Sequence, residues 1–155
     1  MSFRIQGLAP APFQHLYDLD DGRLAELGVK RMTVDSHPGY PDRIGLCDVP
    51  VGETVLLLNH VHQPADTPYR ASHAIFVREG AREAAVAIDT VPDALRHRII
   101  SLRAFDANHM MVDADLVEGR DLGERIEGFF ANPEVSYLQA HYAKRGCYAA
   151  RVERN

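Results

Sequence analysis

The densest chemistry in the sequence lies between Cys47 and His73. Residues 53–62 read Glu-Thr-Val-Leu-Leu-Leu-Asn-His-Val-His and are bounded by Gly52 and Pro64. A short apolar run between breakers predicts a strand. Alternation places Leu56, Leu58, His60 and His62 on one face, with Val55, Leu57 and Asn59 on the other. Two residues of strand rise put His60 and His62 about 7 Å apart on the same side, close enough for their rings to converge on one cation. His73 opens the following strand and completes a three-histidine set. Such a set holds a divalent metal and leaves a position for water or substrate. His60, His62 and His73 are therefore the candidate metal ligands. The plain alternative is that they cap the strand end and hydrogen-bond the adjoining loop.

The His-x-His spacing is similar to that of cupin metal sites. The Glu that a cupin places after the second His is absent from Gln63-Pro64-Ala65-Asp66-Thr67-Pro68, so the fold is not carried over.

A second constellation follows at Pro68-Tyr69-Arg70-Ala71-Ser72-His73. Arginine offers a planar fork to carboxylate or phosphate. Tyrosine and histidine exchange protons, histidine near neutral pH. Arg70 and Ser72 would hold a small anionic ligand, while His60, His73 and Tyr69 would act as catalytic groups. The alternative is a surface loop whose Arg70 pairs with Asp66. Cys47 and Cys147 read as small buried apolar residues, since no neighbouring sequence demands a nucleophile. Asp113 and Asp115 read as the solvated face of a strand whose other face is Met110, Val112, Ala114 and Leu116. Arg96-His97-Arg98 reads as a wet strand entry.

These residues need elements to position them. Residues 3–8 predict a first strand and 13–27 two short helical turns. Residues 36–43 are a loop by composition. Strands 53–62 and 73–78 are joined by a loop too short for a helical crossover, so they pair antiparallel. Residues 97–105 and 109–117 predict a second hairpin, turned by Asp106-Ala107-Asn108. Asp121 and Glu124 resemble a capping box opening a helix over 121–131. The tail is open between a helix over 134–145 and a hairpin of 135–143 with 147–153. The alternation of Tyr148, Ala150 and Val152 favours the hairpin. Together this predicts an α+β fold, one domain over 1–155, mainly antiparallel sheet with few short helices. The pocket is expected where strands 53–62 and 73–78 end, closed by the 63–72 loop.

Composition limits the function. The chain has 155 residues, 46 % apolar and 25 % charged, as an ordinary globular protein does. Its formal charge is -5. Nucleic-acid binders need a basic excess to neutralise phosphates, so that class is disfavoured. Of the 17 basic residues only Lys30 and Lys144 are lysines, and the arginines are scattered. No apolar stretch approaches the ~20 residues that span a bilayer, and no signal peptide is evident. The expected location is the cytoplasm, with reduced thiols. GxGxxG, Walker, GxSxG and HExxH motifs are absent.

Five segments together resemble a known family. They are Gly52-Glu53, Val55-Leu56-Leu57, Pro68-Tyr69-Arg70-Ala71-Ser72 leading into Ile75-Phe76-Val77, Arg103-Ala104-Phe105-Asp106-Ala107, and Gly146-Cys147. The chain resembles the bacterial domain-of-unknown-function family twelve-oh-three over nearly its whole length. The resemblance implies a bacterial, stand-alone, cytoplasmic domain and assigns no substrate, cofactor or catalytic residue. The expected function is a small-molecule-binding domain or enzyme for a polar, anionic ligand. The alternative is a non-catalytic interaction module, homodimeric through an exposed sheet face.

Overall fold

The computed structural model describes residues 2–155. In chain order its elements are β1 (Phe3–Gln6), α1 (Ala11–Gln14), α2 (Asp21–Glu26), β2 (Lys30–Thr33), β3 (Thr54–Gln63), β4 (Ala71–Arg78), β5 (Val86–Ile88), α3 (Asp93–Arg96), β6 (Ile99–Phe105), β7 (Met111–Glu118), α4 (Leu122–Phe130), β8 (Tyr137–Tyr142) and β9 (Tyr148–Arg154). They form a six-stranded sheet in the order β5-β1-β9-β8-β6-β7 and a three-stranded sheet in the order β2-β3-β4. Every neighbouring pair is antiparallel. The fold is α+β, as the sequence predicts.

The apolar run at 54–58 forms β3 because its β-branched and leucine side chains can be buried on both faces. Leu56 and Leu58 pack with Phe13, Leu24, Ile75 and Val77, under α1 and α2. Val55 packs on the opposite side with Val34 and Val49. The β3–β4 register opposes Leu56 to Val77, Leu58 to Ile75 and His60 to His73. Directly opposed residues share a face, so the three histidines continue the apolar row. α2 begins where the Asp20 side chain accepts from Arg23 N at 2.7 Å, satisfying one free donor of the first turn.

The six-stranded sheet packs one face against α3 and α4. Ile5, Ile100, Leu102, Leu138 and Val152 meet Leu95, Ile126 and Phe130 there. Each such side chain contributes roughly 1.5–3 kcal/mol by leaving water. The expected capping box is not made: Asp121 makes no side-chain cap bond. The helix is entered through a 3-10 turn at Gly119–Asp121, and the Leu122 N–H goes to Gly119 O. That entry needs Gly119, because a Cβ there would stand 2.0 Å from Leu95 O. Gly7 is bound in the same way, its Cβ position lying 2.0 Å from Ile44 O.

The tail is the hairpin, with Gly146 at φ +77 in its turn. The Asp106 side chain turns the β6–β7 hairpin by accepting from Asn108 N and Met110 N at 2.8 and 3.0 Å. The faces of β7 differ from expectation. Val112 and Leu116 are exposed, Leu116 by 66 %. Asp115 points to the helix layer, where Arg125 Nε donates to it at 2.8 Å. As the edge strand, β7 extends past the core, so its apolar row has nothing to cover it. No helix among the described residues is long and apolar enough to cross a membrane.

Candidate functional site

Sequence reasoning singles out the histidine face of β3, and the structure brings that face against the six-stranded sheet. His62 Nδ1 lies 3.0 Å from Gln139 Oε1, and Gln139 Nε2 donates to His62 O at 2.9 Å. His141 Nε2 lies 3.0 Å from the same Oε1, and its Nδ1 lies 3.1 Å from Gly146 O. The His62 ring stacks on Tyr148 at 5.6 Å, and the His60 ring tilts against Tyr148 at the same distance. The third histidine of this seam is thus His141, from β8, rather than His73.

His73 is only partly buried, and its Nδ1 rests 3.1 Å from the carbonyl of Ala74. Among the described residues no group of three His, Cys, Asp or Glu is placed to hold a metal ion. His60, His62 and His73 share a face, but their rings are engaged with Phe13, Tyr148, Gln139 and backbone, so they do not converge. Burial lowers the pKa of His60 and of His62, and it lowers that of His141 to about 3. All three rings are neutral at pH 7. They form a packed seam between two sheets.

The 63–72 loop does not close a pocket with these groups. Tyr69 packs edge-on to Phe105 at 6.2 Å, and Phe105 stacks on Tyr137 at 5.2 Å. Arg70 and Ser72 are exposed. Among the described residues the Arg70 side chain makes no ion pair or hydrogen bond. Gln63, which sequence reasoning passes over, is buried and donates to the Tyr137 hydroxyl at 2.8 Å.

The prominent cavity lies elsewhere. A cleft of about 910 Å³ opens between the sheets, with Met32, Tyr40 and Phe76 on one wall. The other wall is the start of β6 and the 142–147 turn, bringing Arg98, Lys144 and Arg145. Its size is that of a site for a small organic molecule. No acidic side chain lines it.

Arg43 lies beneath this cleft and is 1 % exposed. Its Nε donates to Tyr148 O at 2.7 Å, its Nη1 to Pro41 O at 2.6 Å, and its Nη2 to Cys147 Sγ at 3.1 Å. All three acceptors are uncharged carbonyls or sulfur, and among the described residues no carboxylate pairs with it. Burial pulls its pKa below the ordinary arginine value. Asp42, next in sequence, is also buried but is occupied by the backbone N–H groups of Ile44, Gly45 and Arg78.

The Tyr142 ring lies between two guanidiniums, 4.9 Å from that of Arg43 and 5.1 Å from that of Arg98. Burial pushes its phenol up to about 12, and its hydroxyl has no hydrogen-bond partner among the described residues. Arg98 is neutralised by Asp48 at 2.6 Å. Burial raises the Asp48 pKa, but the Arg98 hydrogen bonds outweigh it and the net shift is downward. Lys144 and Arg145 stand exposed at the rim, with no ion pair among the described residues. Cys47 is half-buried, and desolvation raises its thiol pKa, as suits an inert side chain.

Sequence reasoning missed this cleft because its arginines are scattered, and Arg96-His97-Arg98 reads as a wet strand entry. The unusual loop at 36–43 was the available signal, since it carries Arg43 to the cleft floor.

A family described as "Protein of unknown function (DUF1203)" matches residues 39–154, a span that contains the floor and most of the walls of the cleft. The search of curated proteins and that of solved structures found no match.

Proposed function

The chain belongs to that family, whose description assigns no chemistry, and from the cleft itself we propose that the protein binds a small anionic molecule there. The observation that carries this reading is Arg43. A buried cation without a counter-charge loses hydration and gains only neutral hydrogen bonds, which is costly. Its field acts on the cleft through a medium of low dielectric, where charge is felt strongly. Lys144 and Arg145 add positive charge at the mouth. An anion entering the cleft supplies the counter-charge that the fold lacks. Arg70 drops out of the binding set because it is exposed and apart from these groups. His60, His73 and Tyr69 drop out because they are packed into the seam, bonded to backbone or laid on Phe105.

The test is a binding titration at low ionic strength with acetate and inorganic phosphate, followed by backbone amide NMR. Shifts concentrated at residues 40–43, 97–98 and 142–147 are expected, and they should weaken in the Lys144→Ala/Arg145→Ala double variant. Shifts of equal size when only the cation is varied at fixed chloride, or none at these residues, would sink the reading.

We propose a cytoplasmic location, a reading supported by the two free thiols, Cys47 and Cys147, and a bacterial source, which only the family resemblance implies. One observation favours a second function, self-association. Ile99, Val112 and Leu116 are 51, 40 and 66 % exposed on the β6–β7 edge, and the face they form runs into the cleft, which Ile99 and Leu116 also line. Sedimentation of the protein and of Val112→Lys, outside the cleft lining, tests it: a dimer that the variant abolishes supports pairing there, and a monomer at high concentration ends it.

A further inference from the structure

The two walls of the cleft differ, and the difference says what kind of anion fits. One carries Lys144 and Arg145 above Arg43, with the Asp48-paired Arg98 and the apolar side chains of Ile99 and Leu116 beside them. The other is apolar, with Met32, Tyr40 and Phe76. The Tyr40 and Phe76 rings meet at 5.1 Å, inclined by 50°, and both are only partly buried. Tyr40 is held in place because its hydroxyl donates to Asp35 at 2.8 Å. The pair therefore presents a fixed aromatic surface beside a cationic one.

A bare inorganic anion would use the basic wall and leave the aromatic surface wet. A neutral apolar molecule would cover the aromatic surface and leave the Arg43 charge uncompensated. Only a molecule with both parts satisfies both walls. Resting on the anion-binding reading above, we infer that the ligand is an aryl carboxylate: a flat ring against Tyr40 and Phe76, with its carboxylate toward Lys144 and Arg145. A ring is favoured over an alkyl chain because aromatic pairs gain in edge-to-face or offset geometry beyond the area they bury. A carboxylate suits the rim because arginine meets it in a planar, two-point arrangement.

The experiment uses the full chain and four probes: 1-naphthoate, acetate, octanoate and 1-naphthalenemethanol. Affinity is read by calorimetry and location by amide NMR. The expected order is 1-naphthoate tightest, with acetate and the alcohol each at least tenfold weaker and octanoate between. Tyr40→Ala should weaken 1-naphthoate at least fivefold and leave acetate unchanged. Lys144→Ala/Arg145→Ala should weaken all three carboxylates. Acetate binding as tightly as 1-naphthoate, or octanoate binding more tightly, overturns the aryl assignment and leaves the anion site standing. The alcohol binding as tightly as 1-naphthoate overturns both, as does the absence of binding by any carboxylate. Circular dichroism of each variant, matched to the parent, shows that a loss is not unfolding.

Discussion

Arg43 Nη2 donates to Cys147 Sγ at 3.1 Å, joining the loop before β3 to the turn before β9 across 104 residues of chain. The same guanidinium holds Tyr148 O and Pro41 O. One planar group thus ties the two sheets together at the floor of the cleft.

Arg43→Lys should destabilise the protein by about 2–4 kcal/mol, although charge is kept. A lysine ammonium is a point donor and cannot reach three acceptors arranged around a flat fork, so buried carbonyls are left unpaired. Urea unfolding at pH 7 measures this. A change below about 0.5 kcal/mol would mean that the fork does not matter.

Tyr142→Phe should leave stability unchanged or raise it by up to about 1 kcal/mol. The hydroxyl is buried without a partner, so its removal takes away a desolvation cost and breaks no bond. Thermal unfolding of the variant checks it. A drop of several degrees in Tm would show that the hydroxyl has a partner after all.

Stability should fall with acid earlier than carboxylates alone allow. His60, His62 and His141 have pKa values depressed in the fold, first by burial. The charged and titratable groups facing His141 are Arg103 from β6, His62 from β3 and His73 from β4, and they oppose its protonation further. In the unfolded chain the same ring takes a proton near 6.5, so that state binds more protons below this pH. The stability is therefore complete above pH 6.5 and is lost as pH falls toward 3. Asp48, Glu79 and Glu153 begin to contribute only below about 4.5. Between pH 6.5 and 5 His141 alone should account for roughly 2 kcal/mol. His141→Gln should flatten the dependence in that window. Equal slopes in variant and parent would refute this account.

Gly7→Ala and Gly119→Ala should each cost about 3 kcal/mol or more, because the added Cβ meets backbone oxygen that cannot move aside. Gly80→Ala is the control: φ is +90 there, but nothing lies within 4 Å of its Cβ position, so its cost is conformational strain alone. Chemical denaturation of the three variants should rank Gly80→Ala mildest.

Local rules made much of the fold legible. β3 announces itself by its apolar run between Gly52 and Pro64, and its pairing with β4 follows from the shortness of the loop between them. The helix over 122–130 follows from Leu122, Ile126, Phe129 and Phe130 on one side. The face of β7 was not legible, because alternation separates two sides without saying which one the core covers. β2 was missed because four residues, Lys30 to Thr33, are too few to show a period. At the site, the row His60–His62 was legible as one face, but its partners Gln139, His141 and Tyr148 arrive from another sheet. The Arg43 environment was hidden for the same reason: its acceptors at 147 and 148 lie more than a hundred residues away.

β1 lies between β5 and β9, and Asn155 N donates to Ser2 O at 3.1 Å. The first of the described strands in chain order is therefore flanked on one side by the last of them. Until residues 148–154 exist, β1 and β8 are both open edges, and the apolar side chains of β1 have no neighbour on that flank. Contacts of such long sequence separation close slowly, since the intervening chain must lose its freedom before they form. A nascent chain that has not yet reached residue 148 is expected to keep β1 and β8 as two unpaired edges besides β5 and β7, the state in which a strand is most prone to pair with the wrong partner.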